Sequence, residues 1–304
     1  MPALSDMVKD KIAWVLVVIC PAFFASNMLI ARAMNGVFPP ISLAFARWFF
    51  VGLLVFLVLG AMRRLDIAQL RAEWRPILFL AALGMGLCGG PVYLGGEYTT
   101  ATNIGLIYSA APLLIALLAF VRFGERLTIL QSAGMIMGLG GVLIIMIKAD
   151  LARLADLQFN RGDLWIILAT FSFAIYSLGL KYSPTKLSQI QRFGAMALGG
   201  ALWHLPFMVG EIAVRGPWPE LGATIWGAVF LLVFSASLGA YLSYGFIVSR
   251  LGATIAGATL YLAPIYAAGL AIMLLGERLE TFHLIGGALI LPGLWLVSQR
   301  RKDI

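Results

Sequence analysis

The sequence predicts an all-α integral membrane protein of ten transmembrane helices, built as two inverted five-helix repeats. Three observations carry that prediction. Of 304 residues, 61% are hydrophobic and 12% charged, against about 25% charged in a soluble domain. The apolar residues gather in runs of about 20, the length that crosses a bilayer, and ten crossings with short loops use nearly the whole chain. A long stretch of the first half also recurs in the second. This composition leaves no room for an appended soluble catalytic or nucleotide-binding domain.

The runs, bounded by charges and turn residues, cover 12–34, 41–62, 74–95, 98–121 and 129–147 in the first half. In the second half they cover 163–182, 188–210, 223–249, 253–275 and 281–298. The first run is of full spanning length behind a short mixed-charge leader, so it is expected to stay as a helix rather than be removed as a signal. One long polar connector, 148–162, separates residues 1–147 from 163–298, and 299–304 form a basic tail. With the N-terminus placed in the cytoplasm, fifteen Lys and Arg fall on inside ends and loops, among them Lys9, Arg64, Arg126, Lys181 and Arg250. Six fall outside: Arg32, Lys148, Arg153, Arg161, Arg215 and Arg278. The positive-inside rule then puts both termini in the cytoplasm. The net charge of +8 therefore reflects topology and attraction to anionic headgroups, with no basic stripe left for nucleic acid.

Residues 105–146 and 257–298 align without a gap at an offset of 152. Pro112 falls on Pro264, Gly-Glu-Arg-Leu at 124–127 on 276–279, Gly134 on Gly286 and Gly141 on Gly293. Five spans is an odd number, so related halves must be oppositely oriented. Inverted repeats are a signature of secondary transporters, whose substrate site lies near the midplane between the halves.

Each half ends in a proline-bearing helix, Gly-Glu-Arg-Leu and a glycine-rich helix. This arrangement resembles the EamA-type exporters of the drug/metabolite transporter superfamily, over about residues 12–298. Arg47 and Arg192, each near the start of the second helix of its half, extend the likeness more loosely. The resemblance implies export of small metabolites across a bacterial inner membrane by one chain without ATP, with alternating access and no obligatory protein partner. Aromatic amino-acid exporters are the most similar members in their Tyr- and Trp-rich spans. Drugs or small polar amino acids such as threonine are the alternative cargo, and a membrane-embedded sensor or receptor is the alternative of another class. Short tails speak against a sensor. The absence of a charge ring or carbonyl filter speaks against a channel.

Enzyme motifs fail. Gly84, Gly86 and Gly89 spell GxGxxG inside an apolar span with no preceding strand. No P-loop is present, and Cys20, Cys88, His204 and His283 lack metal-ligand spacing. No catalytic residue, metal or cofactor is expected.

Candidate substrate contacts come from polar residues that recur in both halves. Gly86, Gly90, Tyr93 and Glu97 share one helix face by spacing, and an offset of 151 maps them onto Ser237, Tyr241, Tyr244 and Val248. Ser26 and Asn27 map onto Tyr176 and Ser177. Such stripes either line a cavity or pack helices together. The proline helices add Gly105, Ser109 and Pro112, matched by Gly257, Tyr261 and Pro264. With Pro91, these prolines are expected to bend their spans, as gates or as static kinks. Asn103, Tyr108 and Tyr266 lie nearby, with Asn103 the leading substrate contact or else helix glue. Trp203 and His204 either meet an aromatic ligand or serve as an interfacial tryptophan and a core histidine.

Arg47 lies seven residues past Pro40, about 10 Å into its helix. It either attracts a substrate carboxylate or, as the favoured expectation, snorkels to the headgroups. Glu125 and Glu277, beside their arginines, are expected to cap helices or form ion pairs. Gly134 and Gly138 are expected to allow close helix packing. All fourteen acidic residues fall in tails, loops or span ends, which favours facilitative or weakly coupled transport over a proton relay. Glu97 and His204 are the two residues that would reverse this.

Overall fold

The computed structural model describes residues 4–152, 157–275 and 278–299, and they are helical with no strand. The first half contains α1 (Leu4–Ala33), α2 (Pro40–Ala61), α3 (Trp74–Tyr98), α4 (Ala101–Tyr108 and Ala111–Phe123) and α5 (Ile129–Met146). The second contains α6 (Arg161–Tyr182), α7 (Gln189–Arg215), α8 (Ala223–Leu251), α9 and α10 (Thr281–Ser298). Here α9 joins Ala253–Thr259, a 3₁₀ turn Leu260–Leu262 and Ala263–Leu275. Among the described residues nine helices are long and apolar enough to cross a membrane, and Ala253–Gly269 forms a shorter apolar one. A short helix, Ile67–Ala72, links α2 to α3, with Asp66 accepting the Gln69 N–H at its start.

Two helices outrun their apolar runs because charged side chains pair beyond the hydrocarbon. The early start of α1 carries Asp6 and Asp10 to Arg250, and the late end of α7 carries Glu211 and Arg215. Glu125 pairs with Lys181, not with an arginine. The ion pair expected at Glu277 and the tail residues 300–304 lie outside the described residues, as do 153–156 of the connector.

Opposite orientation of the halves is visible where equivalent helices meet. In α5 and α10, Gly134 packs against Gly293, and Gly141 against Gly286, with backbone touching backbone. The equivalents of Gly134 and Gly141 are Gly286 and Gly293, so each glycine meets the counterpart of the other. That reciprocal pattern is the mark of a two-fold contact. The pair α2 and α7 repeats it: Gly52 faces Leu198 while Val55 faces Gly194, so the two helices run antiparallel. The close packing expected of Gly134 thus lies inside the fold. Gly138 instead accommodates the ring of Tyr261.

The end of the bundle at which α1 begins, the near end, is strapped across the halves by Glu73. Its carboxylate accepts the Thr185 hydroxyl at 2.6 Å and the Lys186 N–H at 2.8 Å, and Gln69 also donates to it. Gln191 Nε2 donates to the Asp66 carbonyl beside it. At the far end, Glu211 accepts the first N–H groups of α2, from Ile41 at 3.1 Å and Ser42 at 2.8 Å. Carboxylates at helix N-termini satisfy donors that the helix itself leaves free.

Two predictions follow from this packing. Replacing Gly134 with Leu forces a side chain into the Gly293 carbonyl and should cost about 1–3 kcal/mol, read as a lower apparent Tm in detergent. Gly140→Leu, with nothing within 4 Å, should leave Tm unchanged. For Glu73, burial raises the carboxyl pKa, but hydrogen bonds from Thr185, Lys186 and Gln69 outweigh it and hold the group below its usual 4.5. A depressed pKa stabilises the fold above 4.5, and that contribution disappears as pH falls through the lowered value. Tm should therefore drop below pH 4.5, and Glu73→Gln should flatten that part of the profile; an unchanged slope would discard the strap.

Candidate functional site

The site is built where α3 and α8 depart from regular helix. In α3, Ala82–Leu87 widens into a π-helix, the chain turns at Cys88 and Gly89, and a helix restarts over Gly90–Tyr98. Pro91 sits in the first turn of that restart, where its missing N–H removes no helical bond. In α8, Leu232–Leu242 is π-helical and begins 150 residues after Ala82, so the distortion occurs in both repeats. π-helical turns leave carbonyls poorly paired and recur at functional sites.

Arg47 fills the space between these segments. It is 2% exposed, which overturns the expectation that it snorkels to the headgroups. Its Nε donates to Ser237 Oγ at 2.6 Å and Nη2 to the Ala236 carbonyl at 2.6 Å, both in the π-segment of α8. Nη1 donates to Asn27 Oδ1 and to the Tyr93 hydroxyl, each at 3.0 Å, and Tyr93 in turn donates to Asn27 at 2.7 Å. The guanidinium stacks 4.3 Å from the Trp48 ring centre and lies 5.7 Å from that of Tyr241. Every acceptor is neutral. Among the described residues no carboxylate lies within 4 Å of it. Four helices, α1, α2, α3 and α8, and both halves meet on this one cation.

On the near side of Arg47 lies an aromatic cluster from α1, α2, α6, α7 and α8. Tyr241 sits edge-on to Trp48 at 5.1 Å and stacks with Phe193 at 5.9 Å, while Phe24 contacts Phe173, Tyr241 and Tyr244. Tyr176 packs on Phe173 and Tyr241, and over Gly84. Tyr241 donates to the Gly84 carbonyl of the α3 π-segment at 3.0 Å, and the Tyr244 and Ser177 hydroxyls are 2.8 Å apart. Tyr176, Tyr241 and Tyr244 are buried, so the rings pack closely on this side of Arg47. Ser26 pairs with Ser235 at 2.8 Å beside it. Tyr108, partly exposed, is an electrostatic neighbour of Arg47, Tyr93, Tyr241 and Cys88.

Other expected contacts lie elsewhere. Asn103 donates to both carboxylate oxygens of Asp163, at 3.2 and 3.0 Å, and to the Gln158 carbonyl, in a far-end cluster completed by Thr99 and Asn160. His204 holds the break in α3: its Nδ1–H donates to the Gly200 carbonyl at 2.7 Å, leaving Nε2 to accept the Gly90 N–H at 2.8 Å. Trp203 lies over Gly86 on the outer side of α3, 39% exposed. The hydroxyl of Tyr266 donates to the Val18 carbonyl of α1, while the buried hydroxyl of Tyr261 has no hydrogen-bond partner among the described residues. Both α4 and α9 change geometry just before Pro112 and Pro264, through a turn at 109–110 and a 3₁₀ turn respectively. Glu97 is held by Arg215 in a two-pronged pair at 3.0 and 2.7 Å.

Sequence reasoning underrated Arg47. The signal was present: an arginine well inside an apolar span is a functional candidate by default, and Asn27, Tyr93 and Ser237 already stood out on neighbouring spans.

Comparison with known proteins agrees with this architecture. An uncharacterized transporter of Synechocystis sp. is 25% identical over 94% of this chain and 90% of its own length. A protein of Streptantibioticus cattleyicolor named "Probable terminal-alkyne amino-acid exporter" is 29% identical over 78% of this chain and 77% of its own. A solved crystal structure superposes with a TM-score of 0.75 at 20% identity, covering 95% of this chain and 97% of that one, a likeness of fold alone. The model of the EamA-like transporter family matches residues 11–147 and again 160–299. The chain therefore belongs to the EamA-like transporter family, as a multi-pass membrane transporter.

Proposed function

We propose that this transporter exports aromatic or hydrophobic amino acids and similar small metabolites across a bacterial inner membrane by alternating access, with both termini cytoplasmic. The observation that carries the reading is the buried Arg47, held by neutral oxygens from both halves beside an aromatic cluster. A cation in that position attracts the carboxylate of a substrate, and the rings of Phe24, Trp48 and Tyr241 suit an apolar or aromatic side chain. Relatedness to a protein named as an amino-acid exporter supports the same cargo class.

The reading includes facilitative transport. Glu97, Glu211 and Asp163 are engaged at the far end, with Arg215, the start of α2 and the Asn103 cluster. Both nitrogens of His204 are engaged as well. No acidic side chain among the described residues reaches Arg47 to relay a proton.

Reconstituted in proteoliposomes, the protein should show saturable counterflow of labelled phenylalanine, which separates a carrier from a channel or a receptor. We predict that Arg47→Gln lowers that counterflow by about tenfold or more and Tyr93→Phe by a smaller factor, while Gly140→Ala transports like the wild type. Counterflow unchanged in Arg47→Gln would reject the site, and transport that stops when the proton gradient is dissipated would reject the facilitative part.

A further inference from the structure

We propose that the Arg47 site selects its cargo by a single carboxylate and does not require an ammonium group. The natural substrate class is then aromatic or hydrophobic monocarboxylates, of which amino acids are one kind. This inference rests on the transporter reading above and sharpens its substrate.

The argument is one of charge. Arg47 uses four of the five N–H groups of a guanidinium, all on neutral oxygens. Its positive charge in an apolar bundle has no anionic partner within 4 Å among the described residues. A buried charge is costly until it is paired, and the planar fork matches a carboxylate through two parallel hydrogen bonds. The acceptors of Nη1 are the ones to be exchanged, because Asn27 is partly exposed and Tyr93 already has Asn27 as a second partner. An N–H freed on Nη1 and the second N–H of Nη2, which makes one bond to Ala236, then form that fork.

One cation balances one negative charge. The equivalent arginine of the second half, Arg192, is occupied at the near end by the carbonyls of Leu180 and Ser183. A doubly charged phosphate would therefore bring an unbalanced charge into the bundle. A substrate ammonium fares no better. The buried carboxylates of the described residues, Glu211 and Asp163, are at the far end and engaged. The hydroxyls, the amide and the aromatic faces around Arg47 already serve its guanidinium, whose charge repels a second cation brought beside it. Carboxylate recognition is built in; amine recognition is not.

The test is a four-probe panel on the full-length protein: phenylalanine, 3-phenylpropionate, phenylalaninamide and phenethylamine. Each probe is measured by thermal stabilisation in detergent and by competition against phenylalanine counterflow in proteoliposomes. The expected result is that 3-phenylpropionate stabilises and competes within about tenfold of phenylalanine. The two probes lacking a carboxylate should be about 30-fold weaker or worse, as for loss of a buried charge pair, and Arg47→Gln should erase the advantage of the anions. The wild-type panel decides the question even if that variant does not fold. Amine probes binding as well as phenylalanine, or 3-phenylpropionate failing where phenylalanine is transported, would overturn the inference and leave the transporter reading intact. Stabilisation by 3-phenylpropionate without phenylalanine counterflow would do the reverse. No stabilisation or competition by any carboxylate overturns both.

Discussion

Inside a bilayer, every polar group that leaves a regular helix has to be met by another part of the protein, because lipid offers no hydrogen bonds. The centre of this molecule is organised by that requirement. The widened turns of α3 and α8 loosen their own hydrogen-bond ladders, and side chains from other helices come to meet them: Tyr241 at the Gly84 carbonyl, Arg47 at the Ala236 carbonyl, His204 at the Gly90 N–H. The distortions therefore create the positions at which the helices are joined. Trp48 marks where the matching is incomplete, since its indole N–H is buried beside Gly89 with no hydrogen-bond partner among the described residues.

The two halves are alike in frame and unlike in chemistry. Reciprocal glycine contacts and paired π-segments preserve the inverted symmetry in α5 with α10 and in α3 with α8. The arginines break it. Arg47 is drawn into the middle by oxygens on three other helices, whereas Arg192 turns to free carbonyls at the end of α6, where the helix dipole favours a cation. A pseudo-symmetric frame that holds an asymmetric charge has two distinguishable ends.

Much of this was legible in the sequence. Run length gave all ten helices, and the gapless match of 105–146 with 257–298 gave the inverted repeat, because burial in lipid and backbone contact both write local, periodic patterns. What stayed hidden depends on partners far away in the chain. Depth along a helix alone could not place Arg47, since a side chain about 10 Å from a helix end reaches the headgroups as readily as the core. Asn103 stood out as a substrate contact because nothing nearby shows that Asp163, from the other half, reaches it. The stripes on α3 and α8 assumed a constant 3.6-residue period. The π-segment and the turn after it reset the phase between Gly86 and Tyr93, so Gly86 faces Trp203 of α7 while Tyr93 faces Arg47.

The separation of Arg47 from its ligands also bears on how the chain is made. Two of its acceptors, Ser237 and the Ala236 carbonyl, lie 190 and 189 residues downstream, but Asn27 and Tyr93 lie only 20 and 46 residues away. During synthesis α2 enters the bilayer long before α8 exists. For most of that interval Asn27 and Tyr93 are the ligands within reach, so they act as holding partners for a charge that lipid alone would expel. The pair proposed to exchange with cargo in the finished protein is then the pair that first keeps the arginine in the membrane.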